Sequence, residues 1–281
     1  MTSQRPAALI VKQLNEFQHE LGGILTGFGY EPMPNSIAAV ELSSTENAQA
    51  IQAAHNSGGI LIKFATDQLS AFIRIITEPV LTFAPWTNIR SILEATAISV
   101  WLLDETINLN ERISRSYAFR CKGLDQRVTF AQATKNPSQL SDAERQRDKV
   151  LMKAKGMGLT NYDKNGKIKL ISPMPNTTNL VRDYLGEEDT YRLLSAMTHA
   201  HLWALIALGL SPVADIPNGK LMEKSLSLNS VGYLTFKALN ALQKAIMGKC
   251  KLFGWPIEDI KKVFNNKLRT LAVVFRQVKQ Q

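Results

Sequence analysis

Three polar residues recur on one side of an otherwise apolar segment, residues 188–208. They are Arg192, Ser195 and His199. An α-helix turns about 100° per residue, so the step from Arg192 to His199 leaves the two side chains within about 20° of each other. Histidine can move a proton at neutral pH, and arginine can stabilise negative charge on a phosphate. The spacing therefore places Arg192, Ser195 and His199 on one polar stripe, where they could act together.

A second apolar segment, residues 86–103, contains Arg90 and Glu94 one helical turn apart on the same face. We expect the polar stripe to be partly buried or to face a cleft, where arginine and histidine need partners. Glu94 is the predicted supporting residue, with Arg90 beside it. By accepting from Arg192 or His199 it would orient the imidazole and raise the histidine pKa.

These residues must be positioned by helices, because a helical hydrophobic period dominates the 281 residues. The 45% hydrophobic content is enough to bury a core. We predict a single all-α domain over 1–281, built as an antiparallel helical bundle, with an N-terminal helix at 6–25 and C-terminal helices within 220–279. A small hairpin-like insertion is expected near 158–175, around an Asn-Gly turn.

The predicted helices are separated by glycine and proline, and 30–43 is expected to be a loop. In the middle of the chain they cover 45–54, 60–77, 86–103, 108–133 and 141–157. After the insertion they cover 177–185, 188–208, 220–251 and 256–279.

An arginine and a histidine separated by six residues on such a helix resemble the Rx4-6H motif of HEPN proteins, the higher-eukaryote and prokaryote nucleotide-binding helical superfamily. The segments Trp86–Ala95 and Tyr191–Ala200 also look like helical bacterial proteins grouped near that superfamily. The resemblance covers about residues 60–210. Leu193 stands where the family usually has a polar residue.

The resemblance implies a HEPN-like core and a metal-independent RNA endonuclease of toxin or antiviral-defence type that needs no cofactor. Its site would form where two subunits of a homodimer meet, and a regulatory or antitoxin protein would be a further partner. The RNA 2′-hydroxyl would attack the adjacent phosphate, with His199 as general acid or base and Arg192 stabilising the phosphorane. Ser195 would donate a hydrogen bond to a phosphate oxygen.

Two other interpretations stay open. The polar stripe can be a satisfied network that fixes helix register in the core. The chain can also be a non-catalytic nucleic-acid-binding or assembly module, since its net charge is +9 and its pI about 9.5. The residues predicted to contact a phosphate backbone lie on two helices: Arg112, Arg115, Arg120, Lys122, Lys261 and Lys262.

Several classes are excluded by what the sequence lacks. Cys121 and Cys250 have no CxxC spacing, which argues against a disulfide framework or a zinc site and fits a reducing, cytoplasmic compartment. No secretory signal is recognisable, and the uncharged stretch 193–214 is expected to be a buried helix rather than a membrane span. His199 and His201 diverge by about 200° on a helix and cannot chelate one metal ion. No phosphate-binding loop or other nucleotide-cofactor motif is present.

Overall fold

A computed structural model describes residues 6–44 and 46–279. Helices account for 71% of the chain, so the predicted all-α fold class is confirmed. In the first half the helices are α1 (Pro6–Gly27), α2 (Ile37–Leu42), α3 (Ala48–Ile75), α4 (Ala84–Leu102), α5 (Leu109–Ala133) and α6 (Pro137–Gly156). In the second half they are α7 (Thr177–Leu180), which continues as a π-turn (Val181–Leu185), then α8 (Glu188–Thr198), α9 (Leu202–Gly209), α10 (Leu228–Phe253) and α11 (Glu258–Lys279).

Two antiparallel hairpins interrupt the helices. The first pairs β1 (Thr160–Tyr162) with β2 (Ile168–Leu170) and confirms the predicted insertion. Its turn is held by the Asp163 carboxylate, which accepts hydrogen bonds from two backbone N–H groups, at 2.8 and 3.0 Å. Gly166 occupies the left-handed region that such a turn requires, with φ 72°. The second hairpin pairs β3 (Leu210–Ile216) with β4 (Gly219–Lys224).

Local sequence explains where several helices begin. A serine or asparagine side chain accepts from the backbone N–H three residues later, which satisfies a donor that the helix itself leaves free. Such caps precede α2, α5, α6, α7 and α10: Ser36, Asn108, Asn136, Asn176 and Ser227. Each cap is worth about 1 kcal/mol.

The main core surrounds α4, which is packed between α3 and α10 and is buried on most sides, as its sequence predicts. Residues from both ends of the chain join this core. Phe17 of α1 meets Phe264 of α11 edge to face, with ring centroids 4.9 Å apart. Where α3 crosses α4, a Cβ on Gly58 would stand 2.5 Å from Cγ of Leu103, so only glycine allows this approach.

A second, smaller core joins α5 and α6 to the first turns of α3. Its buried residues are Ala50, Ile51, Ile113, Tyr117, Cys121, Val150 and Ala154. We call residues 109–171, which comprise α5, α6 and the β1–β2 hairpin, the basic arm.

Several predicted boundaries are wrong. The expected loop at 30–43 contains α2, and the glycine pair at 58–59 does not divide α3 into two helices. Helix α6 begins at Pro137 rather than at 141, since Asn136 provides its cap and a proline at the first helical position needs no N–H partner. The helix expected from 220 begins at Leu228, because the preceding residues form β3 and β4.

The prediction of one helix over 188–208 is also wrong, because this segment forms two helices. Helix α8 ends at Thr198, Ala200 has φ 52°, and α9 starts at Leu202. A left-handed residue cannot continue a right-handed helix, so the chain changes direction here. Within the described residues, no helix is long and apolar enough to cross a membrane.

Candidate functional site

The predicted stripe lies at the surface. The Arg192 side chain is 67% exposed, His199 is exposed at the C-terminal end of α8, and Ser195 is half-buried. Of the three residues expected to be partly buried or to face a cleft, Ser195 is half-buried, whereas Arg192 and His199 are exposed. The physical reason is the break at Ala200: the apolar residues that made one long helix look buried all round belong to α9, which takes a different direction.

Arg192 pairs with Glu188 of the preceding turn, and Glu188 accepts from Nη2 at 2.7 Å and from Nε at 3.0 Å. Both residues line a shallow surface depression of about 440 Å³, together with Arg182, Gly186 and Asp189. His199 and Ser195 are outside its lining. Arg192 and His199 are about 10 Å apart along the helix axis, from the 1.5 Å rise per residue.

Glu94 does not contact the stripe, which corrects the prediction that it partners Arg192 or His199. It accepts from the Tyr191 hydroxyl at 2.7 Å and pairs with Arg90 at 3.0 Å. Arg90 also donates to the Tyr191 hydroxyl at 3.3 Å. Burial raises the pKa of Tyr191 and the bond to Glu94 adds to it, which keeps the phenol protonated as a donor.

Tyr191 was missed as a member of this cluster, although a signal for it exists in the sequence. Tyr191, Leu194 and Met197 follow a three-residue spacing, and all three are buried. This is the face of α8 that packs on α4. A helical wheel that ended at residue 198 would have placed Tyr191 on the buried face of α8 and turned Arg192 outward.

Arg112 cannot contact a phosphate, which corrects its predicted role in nucleic-acid binding. Its side chain is fully buried. Nε donates to the Glu41 carboxylate at 2.7 Å, and the other two nitrogens donate to the carbonyls of Leu102 and Asp104 at 2.8 and 2.9 Å. Arg112, which belongs to α5, thus donates to backbone carbonyls at the C-terminal end of α4 and links that end to α2.

His55 completes this buried cluster. Its Nε2 lies 3.0 Å from the second oxygen of Glu41. Burial lowers the pKa of His55, so the imidazole is neutral and donates to the carboxylate. Burial raises the pKa of Glu41, but the hydrogen bonds from His55 and Arg112 outweigh that effect and bring it below its ordinary value. The cluster is a compensated ion pair with a neutral histidine.

Arg115 is also unavailable to a long anion, because its side chain is only 12% exposed. It donates to Glu111 at 2.8 Å and to the Trp101 carbonyl at 2.7 Å. Its guanidinium lies 5.6 Å from the Trp101 ring centroid. Arg115 therefore fixes α5 against the end of α4.

Arg120 and Lys122, by contrast, line two grooves on the basic arm. The larger groove has a volume of about 1200 Å³ and lies between α5, α6 and the first hairpin. Its charged lining comprises four cations and two carboxylates: Lys122, Arg147, Lys167, Lys169, Asp125 and Asp148. The smaller groove, of about 400 Å³, is lined by Arg120 with Lys149 and Lys153.

The larger groove also contains Cys121. Burial raises the pKa of its thiol to about 11, so at neutral pH it is protonated and a poor nucleophile. The groove is therefore suited to holding an anion rather than to thiolate chemistry.

The basic arm holds most of the net charge. Residues 109–171 contain fourteen basic and six acidic residues, a net +8, against +9 for the whole chain. Without the buried Arg112, whose partner Glu41 lies outside the arm, the net charge is still +7. Concentrated positive charge on one part of a surface attracts polyanions.

The two predicted residues of the C-terminal helix lie apart from these grooves. Lys262 of α11 is exposed, and Lys261 is half-buried and pairs with Glu258 at 2.7 Å. Among the residues described, no group of three or more histidine, cysteine, aspartate or glutamate side chains is placed to hold a metal ion.

No protein-family model matches the chain, and neither a curated protein nor a solved structure was found to be similar to it.

Proposed function

We propose that the protein binds a single-stranded nucleic acid, namely RNA, through the basic arm. The observation that carries this proposal is the net +8 of residues 109–171, together with a groove of about 1200 Å³ that four of their cations and two carboxylates line. Phosphate contacts by lysine and arginine supply most of the affinity of sequence-independent binding. A groove of this size accepts a strand whose phosphates meet the cations along its walls.

The hairpin contributes both charge and an aromatic surface. Lys167 and Lys169 are two residues apart, so they project from the same face of the hairpin, and both are exposed at the groove. On the partner strand, Tyr162 pairs with Ile168, so its ring projects from the opposite face of the hairpin to the two lysines. The ring is 60% exposed, with Nζ of Lys155 5.4 Å from its centroid. A single strand that leaves the groove around the edge of the hairpin can stack an unpaired base on this ring.

The test is the salt dependence of binding to a labelled 20-nucleotide single-stranded RNA, followed by fluorescence anisotropy. The wild-type protein binds at low salt, and log K falls linearly with log salt concentration. Lys167→Gln/Lys169→Gln weakens binding and lowers the magnitude of the slope by about 1.4, at about 0.7 per lost phosphate contact.

The matched control is Lys261→Gln/Lys262→Gln, which removes the same charge from α11. It leaves the slope unchanged if the arm holds the strand. Equal weakening by the two double variants would mean that only net charge matters, and absence of binding at low salt would reject the proposal.

A second candidate function is cleavage of RNA by Arg192 and His199. One observation favours it over the core-network interpretation: Arg192 is 67% exposed and His199 is exposed, so neither fixes register inside the core. Cleavage requires Arg192 to release Glu188 and extend along α8 toward the phosphate beside His199. The histidine would then act as general acid or base while Arg192 stabilises the charged phosphorane.

Incubation of the protein with single-stranded RNA in EDTA tests this chemistry. His199→Ala should abolish cleavage and the cyclic-phosphate ends that it leaves. His201→Ala is the matched control, because that histidine is also exposed and its ring centroid is 6.5 Å from that of His199. Cleavage that is equal in all three proteins, or absent from the wild type, rejects the nuclease.

A further inference from the structure

Helix α9 presents an apolar face to solvent. Its eight residues are all apolar, and one side is anchored: Ala204 is fully buried, and Leu205 and Leu208 pack against the main core. The other side is open, with Leu202 69%, Trp203 57% and Ile206 45% exposed. An amphipathic surface helix normally turns a polar face outward, and α9 has none.

The β3–β4 hairpin that follows α9 is exposed along almost its whole length. It adds further apolar side chains, with Val213 49%, Ile216 50% and Leu221 50% exposed. Two-stranded hairpins with no covering layer are only marginally stable in water. We call α9 and this hairpin, residues 202–224, the α9 surface.

We propose that a second copy of this chain docks on the α9 surface and forms a two-fold symmetric dimer. The exposed apolar area of the α9 surface supports this dimer. At roughly 70 to 140 Å² for each of these six half-exposed side chains, the surface offers on the order of 500 Å² of apolar area. A stable interface buries about 800 Å² per partner, with a polar rim around an apolar centre. The α9 surface supplies that centre.

The charge of the α9 surface favours a second copy as its partner over the polyanion that we propose for the basic arm. Residues 202–224 contain two acidic and two basic residues, Asp215, Glu223, Lys220 and Lys224, so the surface is neutral. Two identical neutral apolar surfaces can meet without repulsion, whereas contact between two basic arms would bring together two net charges of +8. A two-fold axis at α9 is the self-complementary arrangement.

Docking at α9 has a consequence for the second candidate function. His199 and His201 both lie just before Leu202, the first residue of α9, and both are exposed. They would lie at the rim of the dimer interface. A composite site built from two copies becomes geometrically accessible there, although dimer formation does not require either proposed function.

Tryptophan fluorescence gives a direct readout of this surface. Of the four tryptophans, Trp86, Trp101 and Trp255 are 2%, 5% and 5% exposed, and Trp203 is the exposed one. Acrylamide quenching of Trp203 should be weak when the protein is concentrated and stronger on dilution, as the dimer dissociates. Trp203→Phe should remove this concentration-dependent component.

Sedimentation velocity supplies the mass. The wild type is expected to sediment as a dimer at tens of micromolar, and Leu202→Glu/Ile206→Glu as a monomer with unchanged circular dichroism. Ile60→Glu is the control, because Ile60 of α3 is 64% exposed but distant in sequence, and it should remain dimeric. A monomeric wild type at these concentrations overturns the proposal, and so does a dimer that persists in the double variant. RNA binding by the arm is measured separately and can succeed or fail independently.

Discussion

Replacing Arg112 by methionine should destabilise the protein by about 3 to 5 kcal/mol, the cost of removing one partner of a buried ion pair. Methionine fills much of the space but donates no hydrogen bond. The Glu41 carboxylate, only 7% exposed, would lose its 2.7 Å partner. The carbonyls of Leu102 and Asp104, at 2.8 and 2.9 Å, would also lose theirs. The loss is a large part of a typical unfolding free energy of about 5 to 15 kcal/mol.

Urea unfolding followed by circular dichroism measures this loss. With an m-value of about 3 kcal/mol per molar, the midpoint should fall by roughly 1 to 1.7 M. Arg127→Met is the control, because Arg127 is 49% exposed and its pair with Asp142 lies at the surface. That variant should change stability by less than about 1 kcal/mol.

A second substitution tests the cause. Adding Glu41→Gln to the Arg112→Met variant removes the uncompensated charge and keeps an acceptor for His55, so stability should recover by about 0.5 to 3 kcal/mol. A cost of less than 1 kcal/mol for Arg112→Met, or no recovery in the double variant, would refute the reasoning. RNA affinity under folding conditions should be unchanged, because Arg112 does not reach the surface.

Two further predictions concern the core. Gly58→Ala should cost about 1 to 3 kcal/mol in urea unfolding, because the new Cβ would stand 2.5 Å from Leu103. Gly248→Ala, which meets nothing within 4 Å, should instead be neutral or stabilising by up to about 1 kcal/mol. Stability should also fall with acid: burial lowers the pKa of His55 below its ordinary 6.5, so the unfolded chain binds the proton first as pH drops below that value. The slope of the free energy of unfolding against pH should reach at most about 1.4 kcal/mol per pH unit, and it should be absent from His55→Gln between pH 6.5 and 5.5. Below pH 4.5 the lowered pKa of Glu41 should add a further loss of stability. A flat wild-type profile between pH 7 and 5.5 would contradict the assignment of the slope to His55.

Much of the fold follows from local sequence. Asn108 predicts the start of α5, because its side chain caps the helix, and the dense apolar pattern of α4 predicts its burial. The Asn165-Gly166 pair predicts the first hairpin. These signals act over a few residues, so the sequence states them directly.

Other features depend on distant residues or on unfavourable conformations. Arg112 can be buried because it pairs inside the fold with Glu41, which lies 71 residues earlier in the chain. No residue spacing along α5 indicates this partner. Ala200 adopts φ 52°, a conformation that alanine rarely takes, so propensity predicts a continuous helix where the chain turns. Because the chain turns at Ala200, α9 takes a different direction from α8, and Arg192 and His199 are exposed rather than buried.

The central claim is that a single strand lies along the basic arm, and photocrosslinking tests it most directly. RNA containing 4-thiouridine is bound to the protein, irradiated and digested, and the crosslinked peptides are identified by mass spectrometry. We expect crosslinks in α6 and the first hairpin, including Tyr162, and these crosslinks should decrease in Lys167→Gln/Lys169→Gln. Crosslinks confined to α10 and α11, or spread evenly over the surface, would contradict it.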